Sequence, residues 1–499
     1  MEIQFEKNLC RYLDPVLRQT GEQEQTQEIR LADGMPDIGR VITSWGQVVI
    51  RSKEWRSDCV SVSGGVMVWI LYAPEDGTGE RWLDEWVPFK MKWELPDGVR
   101  EGQIRVSCSL RFLDGRNVSP RKIMLRVGIG GLAEAFSPGE TEVYMPGDLP
   151  SGLEVLKRSY PVRLNMEAGE KAFSLEETLT LPESCPKPER LVYCTMQPEL
   201  TERKLLADKA VFRGNGNLHL MYRAENGQLH TWDFDLPFSQ LAQLEEGYSQ
   251  DAGLDVMLGI TSLEPELDAQ GKFRVKCGLV GQYVVSDRKL LELAEDAYCP
   301  GSQIAVDSAE LMLPVLLDQK VESIHLEQTL PMNADVIVDC VFYPEQPRSR
   351  RRENGVEWEL TGMVQALGYG ENGALQASSA RWEGNFFLPA DEDSRVFGTL
   401  EAAGRPNATA GDGSVAVSCP TRLAMETRKN QSFPMITALQ QGQPIPPDPA
   451  RPSVILCRAG EEALWSLAKR YGTTVAAIES ANGLQEAPAP DQLLLIPVL

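Results

Sequence analysis

Imidazole is the side chain most often asked to move a proton near neutral pH, and this chain has three, His219, His230 and His325. A Ser-His-Asp or Cys-His arrangement needs one of them within hydrogen-bond reach of a nucleophile. His219 lies in an alternating, strand-like run and His230 in a hairpin, so both read as structural. No Gly-x-Ser-x-Gly elbow, Gly-x-x-x-x-Gly-Lys-Ser/Thr phosphate loop or His-Glu-x-x-His helix occurs. Among 72 Asp and Glu residues spacing alone does not exclude a glycosidase-like pair, but nothing singles one out. The ten cysteines, at positions 10, 59, 108, 185, 194, 277, 299, 340, 419 and 457, make no Cys-x-x-Cys pair and read as small buried apolar side chains. The expectation is a protein with no catalytic residue, metal or cofactor, whose chemistry is recognition.

For recognition, Trp465 and Lys469 stand out. An indole offers a large ring and one N–H donor, and an ammonium four residues later on a helix shares its face. The helix that must carry them is predicted over Glu461 to Tyr471, with Leu464, Leu467, Ala468 and Tyr471 at i, i+3, i+4 and i+7. Glu461 and Glu462 would occupy its first turn and Lys469 and Arg470 its last, each favourable with the helix dipole, and Gly472 would end it. A second helix is predicted from about Thr474 to Ser480, stopping at Asn482-Gly483. Strands Val454–Cys457 and Leu493–Pro497 complete a βααβ unit. The residues expected to meet a partner are Leu464, Trp465, Lys469 and Ile478, with Tyr471 and Ile478 also expected to fill the core.

The run Ala459-Gly-Glu-Glu-Ala-Leu-Trp-Ser-Leu-Ala-Lys-Arg-Tyr-Gly-Thr-Thr-Val475, then Ala481-Asn-Gly-Leu484 and Leu494-Leu-Ile-Pro497, resembles a LysM domain. The resemblance implies a shallow groove for N-acetylglucosamine-containing glycans between two loops. Here those loops hold Gly460, Glu461 and Glu462, and Asp491 and Gln492. Both depart from the family pattern: Gly-Asp-Thr/Ser-Leu becomes Gly460-Glu-Glu-Ala-Leu464, and Pro-Gly-Gln becomes Pro490-Asp491-Gln492. The changes remove a hydroxyl and a glycine that would let a backbone approach closely.

Upstream lies an internal repeat of domain length. Val60-Ser-Val-Ser-Gly-Gly-Val-Met-Val-Trp-Ile-Leu-Tyr72 aligns with Ala210 to Tyr222 and, more loosely, with Val356 to Tyr369, tyrosines 150 and 147 residues apart. A Gly-containing turn and an aromatic-proline patch follow each: Trp86-Val-Pro-Phe89, Phe234-Asp-Leu-Pro-Phe238 and Phe386-Phe-Leu-Pro389. Alternation with β-branched residues predicts antiparallel strands, with tight hairpins at Asp114-Gly115, Asn226-Gly227 or Asn372-Gly373. Helices here are expected to be few and short, with Gln240–Glu246 and Asp287–Ala294 the best candidates. The basic cluster Arg348, Arg350, Arg351 and Arg352 reads as a solvated hairpin tip before Glu353-Asn-Gly355, or as a dock for an acidic surface. Five prolines in the twelve residues 441–452 read as a semi-rigid spacer.

The expected fold is mainly β: three repeated antiparallel β-sandwich or barrel-like domains over 1–172, 173–322 and 323–440, the linker 441–452, and a small α+β (βααβ) LysM module over 453–499. A formal net charge of -23 opposes binding to nucleic acid or an anionic lipid surface. No run approaches a membrane span, and the first ten residues lack the basic and apolar regions of an export signal, so the chain is expected to stay in the cytoplasm. The Pro-Asp-Ile-type entry at Pro36 and the Gly-rich strands ending in Tyr resemble the SPOCS domain of endospore-forming bacteria. Several such domains before one LysM module resemble SipL-like spore coat morphogenetic proteins. That resemblance implies a non-enzymatic scaffold in the mother-cell cytoplasm at the forespore surface. Its implied partners are a SpoIVA-like coat ATPase, held by the LysM module, other coat proteins and itself. The alternative reading is a protein that binds peptidoglycan or other N-acetylglucosamine glycans through the LysM groove.

Overall fold

Long stretches of alternating side chains fold into long strands, and their ends pair far apart in sequence. The computed structural model describes every residue except 1, 4, 148–151, 447–450, 461, 490 and 499, and the side chains of all of these except residues 2 and 146. The first copy comprises β1 (Glu2–Ile3), β2 (Phe5–Arg30), β3 (Ile38–Trp55), β4 (Cys59–Pro74), β5 (Arg81–Glu94), β6 (Gln103–Ser119) and β7 (Lys122–Pro146). The second comprises β8 (Glu154–Leu179), β9 (Pro188–Leu206), β10 (Lys209–Ala224), β11 (Leu229–Gln243), β12 (Gly253–Leu267) and β13 (Phe273–Tyr298). The third comprises β14 (Ser302–Pro331), β15 (Val336–Pro344), β16 (Arg348–Arg352), β17 (Gly355–Tyr369), β18 (Leu375–Pro389), β19 (Arg395–Ala402), β20 (Asn407–Gly411) and β21 (Ser414–Pro444). The C-terminal module is β22 (Val454–Arg458), α1 (Leu464–Tyr471), α2 (Val475–Asn482) and β23 (Leu493–Pro497).

Each copy is closed by its two long strands, while β1 pairs with β21 of the third copy. β2 pairs antiparallel with β7, β8 with β13 and β14 with β21, almost end to end. Between them lies a meander, β3-β4-β5, β9-β10-β11 or β15-β17-β18. The copies therefore join at 147–153 and 299–301, and the expected boundaries at 172 and 322 fall inside β8 and β14. Sequence motifs miss this because paired residues of the long strands lie 83 to 144 positions apart. β21 likewise runs to Pro444, into the segment expected to be linker.

Other expectations are corrected by pairing. Gln240–Gln243 continues β11, and Asp287–Ala294 lies within β13 opposite Leu164 to Lys157, so neither is helical. Around Leu290 to Leu293 burial alternates, with Leu291 and Leu293 inside and Leu290 outside, and the ladder overrides helix propensity. Asp114-Gly115 is not a turn; Gly115 pairs with Leu125 within β6. The turns after the meander's second strand are Pro74–Gly77, Ala224–Gly227 and Gly370–Gly373, each closed by an i to i+3 backbone bond. Only the last residue takes positive φ, 69°, 82° and 70°, the mark of a type I turn with a glycine bulge rather than type I′.

Those turns set the true alignment. Thr43 lies opposite Leu71, Tyr193 opposite Met221 and Asp339 opposite Leu367, each just past a one-residue bulge at Ile42, Val192 or Val338. Gly368 then stands where Tyr72 and Tyr222 stand, and Tyr369 is displaced by one residue. A one-residue slip turns a side chain to the other face. Tyr72 and Tyr222 are buried in the cores of their own copies, whereas Tyr369 is half-buried among the residues between copies.

Several clusters join the copies, two of them drawing on all three in the middle of the body. Trp45, Trp69 and Leu71 of the first, Tyr193 and Met221 of the second and Leu367 and Leu375 of the third pack together where the meanders meet. Val143, Leu164, Leu293, Leu313 and Phe433 do the same where the outer halves of the long hairpins meet. Between the copies runs a chain of buried ions. Arg105 bridges Glu134 and Asp255 at 2.5 and 2.6 Å, Arg18 reaches Glu134 at 2.6 Å and Glu426 at 3.6 Å, and Arg428 donates to Asn165 at 3.0 Å. Arg348 to Arg352 are all exposed in β16, as expected of a solvated tip, with Arg348 paired to Glu22 and Arg352 to Glu357.

Candidate docking site on the C-terminal module

The module's core is small. β22 and β23 pair antiparallel, and Leu467, Ala468, Ile478, Leu494 and Ile496 fill the space between the sheet and the helices. α1 begins at Leu464, three residues later than the periodicity suggests, so it has no acidic first turn. Gly472 at φ 61° and Gly483 at φ 63° end the two helices in left-handed conformation, and the Thr474 side chain accepts from Ala477 N at 3.0 Å to cap α2. Ile478 is fully buried and supports the fold rather than presenting a surface, while Leu464 is half-buried against the same core.

Trp465 and Lys469 do share one face of α1, and that face meets the end of β13. The indole Nε1–H of Trp465 donates to Asp296 Oδ2 at 2.8 Å, and Lys469 Nζ reaches Oδ1 and Oδ2 at 2.7 and 2.9 Å. The Trp465 ring meets Tyr298 edge to face at a centroid distance of 4.8 Å. Burial raises the Asp296 pKa, but Lys469 and Trp465 outweigh it, and the carboxyl sits below its ordinary range. The pair is partly open, with 32% of the Asp296 side chain and 46% of the Lys469 side chain exposed, so its net contribution is modest. Asp296 and Tyr298 carry no motif, and only the fold brings them to Trp465.

The groove loops are joined by backbone bonds, from Ala459 N to Gln492 O at 2.7 Å and from Asp491 N to Ala459 O at 2.9 Å. Asp491 stands at φ 62°, so this position keeps the left-handed backbone that glycine takes without strain. Gly460 and Asp491 are exposed, Gln492 accepts from Ala489 N at 2.9 Å, and Glu462 pairs with Arg470. Glu461 and Pro490 lie outside the described residues.

The histidines do not come together as a catalytic group. His230 stacks on Tyr222, His325 is exposed in β14, and His219 lies buried where the three meanders meet. There Asp339 accepts from Trp45 Nε1 at 2.9 Å, Tyr193 Oη at 2.5 Å and Arg405 at 2.7 Å, with His219 Nε2 at 3.2 Å; the other ring nitrogen of His219 is 2.6 Å from Asp233. Burial acts to raise the Asp339 pKa, yet His219 and Arg405 hold the carboxyl far below the usual range. Burial beside this carboxylate raises the Tyr193 phenol well above its ordinary value. Sequence reading had missed this node. Its only signal was that Thr43, Tyr193 and Asp339 are equivalent positions, which needs the bulge-corrected alignment.

Among the described residues no group of three or more His, Cys, Asp or Glu is placed to hold a metal, and no helix is long and apolar enough to cross a membrane. All ten cysteines are free thiols.

Fold and site together define a β-rich body built of three copies, with a small βααβ binding module docked at one end. Residues 187–267 match the family model described as SipL, SPOCS domain, and residues 461–497 match the LysM domain, so the chain carries a domain of each kind. The SPOCS match runs from the start of β9 to the end of β12, within the second copy. No curated protein and no solved structure matches the chain.

Proposed function

We propose that this chain is a non-enzymatic scaffold of spore coat assembly. It works in the mother-cell cytoplasm at the forespore surface and docks a SpoIVA-like coat ATPase through its LysM module. The observation that carries the reading is the face of α1. An indole N–H, an aromatic ring and an ammonium converge there on a carboxylate and a phenol of polypeptide. Those groups suit a protein ligand, since the ammonium balances the charge of one carboxylate and the indole N–H donates to it. The three-copy body, in a chain of formal net charge -23, supplies area for other coat proteins or for a second copy.

The test is capture from sporulating cells of the host. Full-length chain should recover the ATPase, and a chain ending at Ile445, just beyond β21, should lose it. Trp465→Ala should lose it too, provided amide exchange shows the module still folded, because truncating a packed Trp can cost about 3–5 kcal/mol. Equal recovery by all three would overturn the reading.

One observation favours a second reading, binding of N-acetylglucosamine glycans. Asp491 at φ 62° preserves the backbone path of the groove loop. Retention of chitin oligomers by the full chain, lost on altering Gly460 or Gln492, would support it.

A further inference from the structure

The contact between α1 and β13 is also a specimen of what the module recognises. We propose that the Trp465–Lys469 face takes an extended strand presenting a carboxylate and an aromatic ring two residues apart. Asp296–Tyr298 is its resident occupant, which an external partner must displace. The proposal rests on the reading above that this face is the docking site, and it adds the ligand's chemistry and the masking of the site by the chain itself.

The geometry gives each part of the ligand a role. In a strand, residues i and i+2 point to one side, so Asp296 and Tyr298 reach α1 together while Ala297 turns away into the body. The carboxylate takes one N–H from the indole and two contacts from the ammonium, leaving little of either donor for a second ligand. Tyr298 supplies the ring for the edge-to-face contact. Yet its hydroxyl is buried without a hydrogen-bond partner, so the resident is an imperfect ligand. A phenylalanine at that place would fit better, and a partner with Asp-x-Phe would outmatch the resident contact for contact.

The resident is held by tethering rather than by strength. Its ion pair is partly solvated. The module stays joined to the body through Ile445 to Ser453, whose prolines at 446, 447, 449 and 452 read from the sequence as a semi-rigid tether. Tethering on this scale gives an effective concentration of about millimolar, which weak free peptides do not beat and a partner with further contacts does.

The test uses the full chain and a fluorescent peptide with the sequence of Leu291 to Tyr298, alone and with phenylalanine at the last position. In wild-type protein the face is occupied and the peptide should bind at least about tenfold more weakly than to Asp296→Ala/Tyr298→Ala, a difference of about 1.4 kcal/mol. Adding Trp465→Phe to the vacated chain should weaken the peptide again, and the phenylalanine peptide should bind more tightly than the tyrosine one. If the double variant is not folded by amide exchange, Asp296→Asn alone serves, with a smaller gain in the same direction. Equal binding to wild type and vacated chain, or none to either up to millimolar peptide, overturns the proposal. Capture of the ATPase is scored separately. If it depends on Trp465 while the peptide fails, the strand chemistry is wrong and the docking reading stands. If the peptide binds as expected and the ATPase is never captured, the partner's identity is wrong and the strand chemistry stands.

Discussion

Replacing Asp339 with alanine tests whether the three copies are one structure. Its carboxylate, 1% exposed, is the common acceptor for Trp45 of the first copy, Tyr193 of the second and Arg405 of the third, with His219 Nε2 3.2 Å away. The substitution leaves an indole N–H and a phenol O–H buried without a partner, at about 1–3 kcal/mol each, and removes the main counter-charge of Arg405. Breaking a buried ion pair typically costs about 3–5 kcal/mol. Here Asp233 lies 3.7 Å from Arg405 and takes over part of the charge, so we expect a loss of about 4 kcal/mol rather than the sum. The assay is guanidinium unfolding at pH 7 with amide exchange. Because the donors come from all copies, exchange should quicken together in β3, β9 and β15. Asp339 is held below its unfolded value, so its contribution is present above the ordinary carboxylate pKa of about 3.9 and fades as pH falls through the folded pKa. Variant and wild type should therefore converge in strong acid. A loss under about 1 kcal/mol, or one confined to β15, would refute the reasoning.

Three further outcomes are expected. The module should undock from β13 in acid: the Asp296 pKa is lowered in the docked state, so docking is fully supported above about pH 4 and weakens as pH falls through the docked value, which small-angle scattering would show as an increase in maximum dimension. Asp491→Gly should raise the module's stability by about 0.5–1 kcal/mol by relieving a left-handed aspartate, measured as slower exchange of Ile478 and Leu494; no change would mean the loop carries no strain. Gly214→Ala should destabilise the second copy by more than about 2 kcal/mol, because a Cβ there would lie 2.0 Å from the Glu199 carbonyl oxygen; Gly64 faces the Val49 carbonyl at 2.1 Å in the same way, so Gly64→Ala should act alike on the first copy in thermal unfolding.

Local signals were legible in the sequence where the cause was local. The apolar spacing of α1, Gly472 and Gly483 as helix ends, and the glycine turns after Tyr72 and Tyr222 were all readable, because each depends on a few neighbouring residues. The mainly β character and the βααβ module also follow from such patterns. The closure of each copy did not, because β2 and β7, or β14 and β21, are paired by contacts across 83 to 142 residues. The helix expected at Asp287–Ala294 failed for the same reason: good helix formers lie in a strand whose partner, β8, decides their conformation. Tyr369 was misaligned by one position because it lies four residues before the turn glycine Gly373, whereas Tyr72 and Tyr222 lie five before Gly77 and Gly227. At the candidate site, Trp465 and Lys469 could be singled out from helical spacing, while Asp296 and Tyr298 could not, since nothing in their neighbourhood marks them.

The account stands most directly on one binding measurement: calorimetric titration of the purified full chain with a purified SpoIVA-like ATPase, beside a Trp465→Phe/Lys469→Gln variant and a parallel titration with chitin oligomers. We predict saturable binding to the ATPase, weakened at least about tenfold by the double substitution, and no heat with the oligomers. Binding that ignores the substitution, or heat with the oligomers alone, would contradict the account and return the module to its glycan groove.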